Sequence, residues 1–305
     1  MGSESPVSSV CIATFRRPDG LRKLLQSLVA QRGAPVFEVV IIDNDSAGSA
    51  RATAGEFSGA LNLSYAVEPE RGLAAARNHA VNIARGEFLA FVDDDETVCE
   101  TWLATLHRVL AGTKASAVFG PVEVEFESSV EESIRRCRFF ARPHPPEGEP
   151  IPWYFTHTGN ALVRTCALPD RPAPFRSLFG LTGGEDIDLF KRISDAGGSF
   201  VAAGMGAGTR EFRERERASF WWALRRSVRN GGNLADLQWR DIPRRERRKL
   251  ARSAFATALR KGIYAMKEKR RDKLRFVELC IDATEEAGRA LSILGYRYAE
   301  YGSKR

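Results

Sequence analysis

Three carboxylates in a row, Asp93, Asp94 and Asp95, close the apolar run 88–92 and are followed at once by Glu96. Adjacent anions repel one another, and removing them from water is costly without a positive partner. The stretch reads either as a solvated acidic turn capping a helix over residues 101–110, or as a buried strand end that holds a cation or a polar ligand. A second acidic cluster, Glu185, Asp186 and Asp188, follows Gly183 and Gly184 and opens a helix carried by Ile187, Phe190 and Ile193. Carboxylates in a first helical turn gain about 0.3–1 kcal/mol each from the helix dipole. Ordinary capping accounts for them, and so does a general base held ready at a pocket rim. Asp43, Asn44, Asp45 and Ser46 form a third polar group at the end of the apolar run 37–42.

These clusters need elements to position them. Residues 7–14 read as a first strand, and Pro18 opens a helix with Leu21, Leu24, Leu25 and Leu28 on one face. Strands follow over 37–42, 61–67 and 88–92, with an alanine-rich helix over 73–81 after Gly72. Residues 118–125 alternate like a further strand, and 138–152, with five prolines, read as a loop. His157 in the next segment is a ligand, a base or an ordinary loop histidine. Alternating strands and helices imply an α/β fold with a mostly parallel sheet, whose ligands bind beyond the carboxyl ends of the strands. Residues 14–17, 43–45 and 93–95 all fall at such ends, so one crevice should gather them.

Neither the glycine-rich dinucleotide fingerprint nor a phosphate loop follows the first strand. A nucleotide would then be held by Asp43 or Asp45 on its base or ribose, with a cation bridging its diphosphate to residues 93–95. Mg²⁺ and Mn²⁺ suit such oxygen ligands.

The chain has 305 residues, enough for one large domain and an appendage. Five scattered cysteines read as reduced thiols, and the first residues lack the pattern of a secretion signal, so a cytoplasmic protein is expected. Two glycosylation sequons, at Asn44 and Asn62, are chance matches on that reading. No run of eighteen apolar residues predicts a membrane-spanning helix. The net charge of +7 is unevenly spread: residues 1–212 hold 21 basic against 27 acidic side chains, and residues 213–275 hold 21 against 7. That shift predicts a catalytic domain over 1–212 and a basic region of two to four amphipathic helices over 213–305. No nucleic-acid motif accompanies the charge, so nucleic acid is not expected as a partner. Peripheral contact with the inner face of a membrane fits it, as does a solvated basic face.

The ordered set formed by residues 10–17, 40–45, 72–80, 91–95 and 183–186 resembles family 2 glycosyltransferases of the GT-A fold. Residues 44–50, 72–78 and 295–301 resemble in particular the bacterial transferases that build exopolysaccharides of the succinoglycan type. The resemblance implies a GT-A sheet flanked by helices and an inverting, metal-dependent transfer. The donor would be a UDP-sugar and the acceptor a saccharide, free or lipid-linked, in surface polysaccharide biosynthesis. By position, Thr14, Phe15 and Arg17 would line the nucleotide pocket, Asp43 would accept from the uracil, and Asp45 would lie near by. Arg77 would approach the diphosphate or base, Asp93 or Asp94 the ribose or donor sugar, and Asp95 a Mn²⁺ or Mg²⁺ ion. Asp186 would be the base, with Glu185 beside it at the acceptor. The downstream histidine of many relatives is missing from residues 204–211, where Glu211 is either a metal ligand or a surface residue. A metal-dependent nucleotidyltransferase and a non-enzymatic polyanion- or membrane-binding protein are the alternative readings.

Overall fold

The computed structural model describes residues 5–179, 182–239 and 241–295. Residues 296–301, part of the stretch that resembles exopolysaccharide transferases, lie outside the described residues. The chain divides into two compact units. The first holds the described residues within Met1–Glu123, Pro143–Leu181 and Glu185–Glu211, and the second those within Val124–Arg142, Thr182–Gly184 and Phe212–Arg305.

In chain order the elements begin β1 (Ser8–Thr14), α1 (Pro18–Val29), β2 (Phe37–Asp43), α2 (Arg51–Glu56), β3 (Leu63–Val67), α3 (Leu73–Ile83) and β4 (Phe88–Val92). They continue β5 (Glu96–Val98), α4 (Trp102–Ala111), β6 (Ala117–Phe119), β7 (Val122–Phe126), α5 (Glu132–Arg135), β8 (Asn160–Arg164), α6 (Glu185–Asp195), β9 (Phe200–Ala202) and β10 (Thr209–Arg213). The helices α7 (Phe220–Gln238), α8 (Arg244–Glu268) and α9 (Lys273–Ser292) complete the chain.

The first unit is built on a sheet in the order β3-β2-β1-β4-β8-β6-β9. The first four strands are mutually parallel, as the alternation of strands and helices implies. β8 then runs antiparallel to both β4 and β6, and β9 is parallel to β6. Successive side chains of a strand point to opposite faces, so β1 and β2 feed two cores. Val10, Ile12, Val39 and Ile41 pack with the leucines of α1 and with Trp102 and Leu106 of α4. Cys11, Val40 and Ile42 pack with the alanines of α3 and with Leu189, Phe190 and Ile193 of α6. Burial in that second core pushes the Cys11 thiol pKa far up, which keeps it neutral and unreactive.

Two details depart from the sequence reading. The run over 118–125 is two strands, broken at Gly120 and Pro121, because proline has no N–H for the ladder. The acidic triplet does not lead straight into a helix: Asp93, Asp94 and Asp95 turn the chain from β4 into β5, which pairs antiparallel with β10. The registers Thr14↔Asp43 and Asp43↔Val67 bring the ends of β1, β2 and β3 level, while Val92↔Asn160 sets the end of β4 beside the start of β8.

In the second unit, Val130, Ile134, Cys137 and Phe140 share a small core with Ala223, Val277 and Ile281. Three long helices, α7, α8 and α9, give the basic C-terminal region its helical character.

β4 enters the sheet through a close approach. A Cβ on Gly86 would stand 2.6 Å from the Ser9 amide nitrogen and 2.7 Å from the Ser8 carbonyl carbon, both backbone atoms that cannot swing aside. Gly86→Ala should therefore lower the unfolding free energy by about 2–3 kcal/mol through overpacking, measured by urea denaturation. An unchanged midpoint would show that the strand slides without cost.

Candidate active site

The acidic triplet is charge-compensated by two arginines. Arg17, just ahead of α1, donates from one nitrogen to Asp94 Oδ1 at 2.9 Å and to Asp95 Oδ2 at 3.0 Å. Arg77, on the buried face of α3, donates to Asp93 Oδ1 at 3.1 Å and makes a short ion pair with Glu185 Oε1. One guanidinium thus joins Asp93, just after β4, to Glu185, the first residue of α6, 92 positions further along the chain. The Phe175 ring lies 5.8 Å from the same guanidinium. The solvated-turn reading fails: Asp94 is buried, and the turn is held from two sides.

Asp94 also accepts from the Thr14 hydroxyl at 2.8 Å, so β1, α1 and β4 meet on one carboxylate. Burial pushes its pKa up to about 6, against the pull of Arg17 and with help from the neighbouring Asp95. Burial alone would lower the pKa of Arg17, but the charges of Asp94 and Asp95 reverse that and raise it.

Asp43 is fully buried, and loop donors occupy its carboxylate. Oδ1 accepts from the Asp45 amide at 3.0 Å, and Oδ2 accepts from the Ala50 amide at 2.7 Å and the Tyr65 hydroxyl at 2.9 Å. Burial, then the bond to Asp43, pushes Tyr65 up to about 12. Asp43 therefore shapes the loop after β2. In that loop Asp45 accepts from Arg16 Nε at 3.0 Å, a bond that lowers its pKa. Guanidiniums of Arg16 and Arg71 lie 5.0 and 4.4 Å from the centre of the Phe15 ring, so Phe15 sits within a cationic surround.

The three carboxylates of the first turn of α6 differ in their commitments. Glu185 is buried against Arg77, and Asp188 is buried between Arg192 at 2.9 Å and Arg176 at 3.4 Å. Asp186 is half-buried, and its Oδ1 accepts from the Ile187 amide at 2.8 Å. It forms no ion pair among the described residues. Gly183 and Gly184, just before them, have φ of +72° and +96°, the left-handed region that glycine enters without strain.

From sequence, Glu96 is only a neighbour of the triplet, and Gly159 has no role. A Cβ on Gly159 would meet Glu96 Oε1 at 2.8 Å, Asp93 Oδ2 at 3.3 Å and His157 Nδ1 at 3.5 Å, so three polar groups converge on that backbone. Neighbouring Asn160 fixes the loop there by accepting from Trp102 Nε1 at 2.8 Å and donating to Ala207 O at 2.8 Å and Pro121 O at 3.0 Å. Glu211 pairs in register with Glu96, and at 4 % exposure it is not a surface residue. Among the described residues no group of three His, Cys, Asp or Glu side chains is placed to cage a metal ion. A Mg²⁺- or Mn²⁺-type ion that takes most of its ligands from water and a diphosphate needs only one or two carboxylates, and Asp95, at the end of β4, is a carboxylate of that kind. A cleft of about 580 Å³ runs along α3, lined by Glu68, Arg71, Asn78 and His79 among others. None of the residues singled out from the sequence as catalytic, nucleotide-binding or metal-binding lines it, so the strand-end cluster and not this cleft is the candidate site.

The profile described as glycosyl transferase family 2 matches residues 9–175. Succinoglycan biosynthesis protein ExoM of Rhizobium meliloti (strain 1021) is 33% identical over 236 residues, 76% of this chain and 75% of that protein. Glycosyltransferase AglE of Haloferax volcanii is 30% identical over 206 residues, 67% of this chain and 66% of its own length. Among solved structures, S. aureus TarS in complex with UDP aligns at a TM-score of 0.52 and 17% identity, covering 95% of this chain and 92% of that one. At that identity the likeness is one of fold, and it agrees with a GT-A-like sheet.

The raised pKa of Asp94 has a defined sign. Folded protein binds this proton more tightly than the unfolded chain, so the stabilisation is complete below about pH 4 and is lost as pH rises through about 6. Relative to Asp94→Asn, the wild-type unfolding free energy should fall by about 2–3 kcal/mol between about pH 4 and pH 7. Parallel pH profiles of the two proteins in chemical denaturation would contradict the assignment.

Proposed function

The chain belongs to glycosyl transferase family 2, and we propose that it moves a sugar, with inversion, from a UDP-sugar to a saccharide acceptor. It is a glycosyltransferase, which removes the nucleotidyltransferase and non-enzymatic readings. The observation that carries the proposal is the division of labour in the first turn of α6: Glu185 and Asp188 are committed to arginines, whereas Asp186 has none among the described residues. An uncommitted carboxylate at a helix start is suited to take the proton of an acceptor hydroxyl as it attacks the anomeric carbon. Glu185 is then a positioning residue that holds Arg77, in place of the acceptor contact expected from sequence.

The other roles follow from the same contacts. Phe15 and Arg17 line the donor pocket with Thr14, and Asp43 orders the loop that presents Asp45 to the nucleoside. Arg77 holds Asp93 toward the donor sugar or ribose, and Asp94 fixes Arg17. Asp95, with Glu211 as second carboxylate, would hold a Mn²⁺ or Mg²⁺ ion, which when bound would offset the charge of the departing diphosphate. The UDP named with TarS and the succinoglycan pathway named for ExoM support a UDP-linked donor and a surface polysaccharide product. A lipid-linked acceptor on the inner face of the cell membrane suits the basic C-terminal region.

Calorimetry should show UDP binding that strengthens with Mn²⁺, and Asp186→Asn should keep that affinity while losing at least about a hundredfold in transfer rate. Unchanged turnover in the variant would refute the base, and no UDP binding by folded protein would refute the donor.

A further inference from the structure

Helix α8 is amphipathic in the wrong sense for a helix that simply packs on its neighbours. Its buried residues are Ala251, Ala254 and Ala265, small side chains that cover little apolar surface. Its large apolar residues point outward: Phe255 is 57 % exposed, Leu259 55 %, Ile263 61 % and Met266 64 %. Their spacing of three and four residues puts all four on one stripe, about 16 Å long at 1.5 Å per residue.

The ends of that stripe are basic. Arg248 and Arg252 continue it toward the start of the helix, Lys267 borders its far end, and Lys269, Arg270 and Arg271 follow, all of them exposed. Within residues 244–271 there are twelve Lys and Arg against two acids, Glu246 and Glu268. The Lys261 ammonium is directed away, lying 3.7 Å from Asp282 and 3.6 Å from Glu286 on α9. No described helix is long and apolar enough to cross a membrane. An exposed apolar stripe bracketed by cations is the pattern of a helix lying in the plane of an anionic bilayer, with its apolar side chains among the acyl chains and its cations at the phosphates.

We infer that the outward face of α8, centred on Phe255, Leu259, Ile263 and Met266, docks in the plane of an anionic phospholipid surface. The charge complementarity selects this occupant over a second copy of the chain, whose α8 would bring the same positive charge to the contact. The inference extends the proposed use of a membrane-borne acceptor, but it is tested without any acceptor or donor.

The test is co-sedimentation of the full chain with phosphatidylcholine vesicles made with and without phosphatidylglycerol. The protein should pellet with the anionic vesicles at low salt, and far less with the neutral ones. Leu259→Glu together with Ile263→Glu, both at exposed positions, should weaken binding at least about tenfold, with helicity and UDP affinity unchanged. Failure to bind anionic vesicles at low salt would overturn the inference. So would undiminished binding by the double variant, which would reduce the effect to charge alone. A change from dimer to monomer in the variant, seen by light scattering with vesicle binding intact, would assign the face to a second copy. Loss of UDP binding in wild-type protein would count against the enzyme assignment and leave the vesicle result standing.

Discussion

The Arg77 guanidinium stands between Asp93 and Glu185, and the arrangement of the site depends on it. Glu185 is 2 % exposed, a position where an ionised carboxylate is unfavourable by several kcal/mol without a partner. Asp93 belongs to a run of three acids that would otherwise repel one another. A single cation on α3 meets both demands, and in doing so ties the end of β4 to the start of α6. The donor-side acids and the proposed base are thereby linked by one charge at the rim of the apolar core that already packs α6 on the sheet.

Arg17 repeats this logic on the other side of the triplet. It sits just before a helix that begins at Pro18, so its backbone is fixed where its side chain reaches Asp94 and Asp95. The result is a strand end with four carboxylates in succession and two arginines among them. Such a site repels a bare diphosphate unless positive charge is added, which is the physical reason a divalent ion belongs in the proposed chemistry. Carboxylates elsewhere are spent on architecture. Asp43 closes a loop on three donors, and Asp188 pairs with Arg192 of its own helix and ties α6 to Arg176.

Much of this was legible in the chain itself. The apolar runs ending in polar clusters marked four strands and the strand ends at which those clusters gather, because burial on both faces leaves few other sequences for a parallel strand. The direction of β8 was not legible, since a run such as Asn160–Arg164 carries no sign of whether it pairs parallel or antiparallel. Arg77 reads from sequence as approaching the diphosphate or the base, and nothing in the sequence signals its bonds to protein carboxylates 16 and 108 positions away. Gly159 carried no signal, because the groups that crowd it come from β4, β5 and its own loop. In α8 the alanines and the large apolar residues are equally periodic, so sequence alone does not say which set faces the protein.

The most direct test of the account is a double-mutant cycle on Arg77 and Glu185, read by denaturant unfolding. Arg77→Met should destabilise by about 3–5 kcal/mol, because it strands a buried carboxylate. Adding Glu185→Gln should recover a large part of that loss, giving a coupling energy of at least about 1.5 kcal/mol. Additive effects of the two substitutions would mean that the pair is not what joins the acidic strand end to α6.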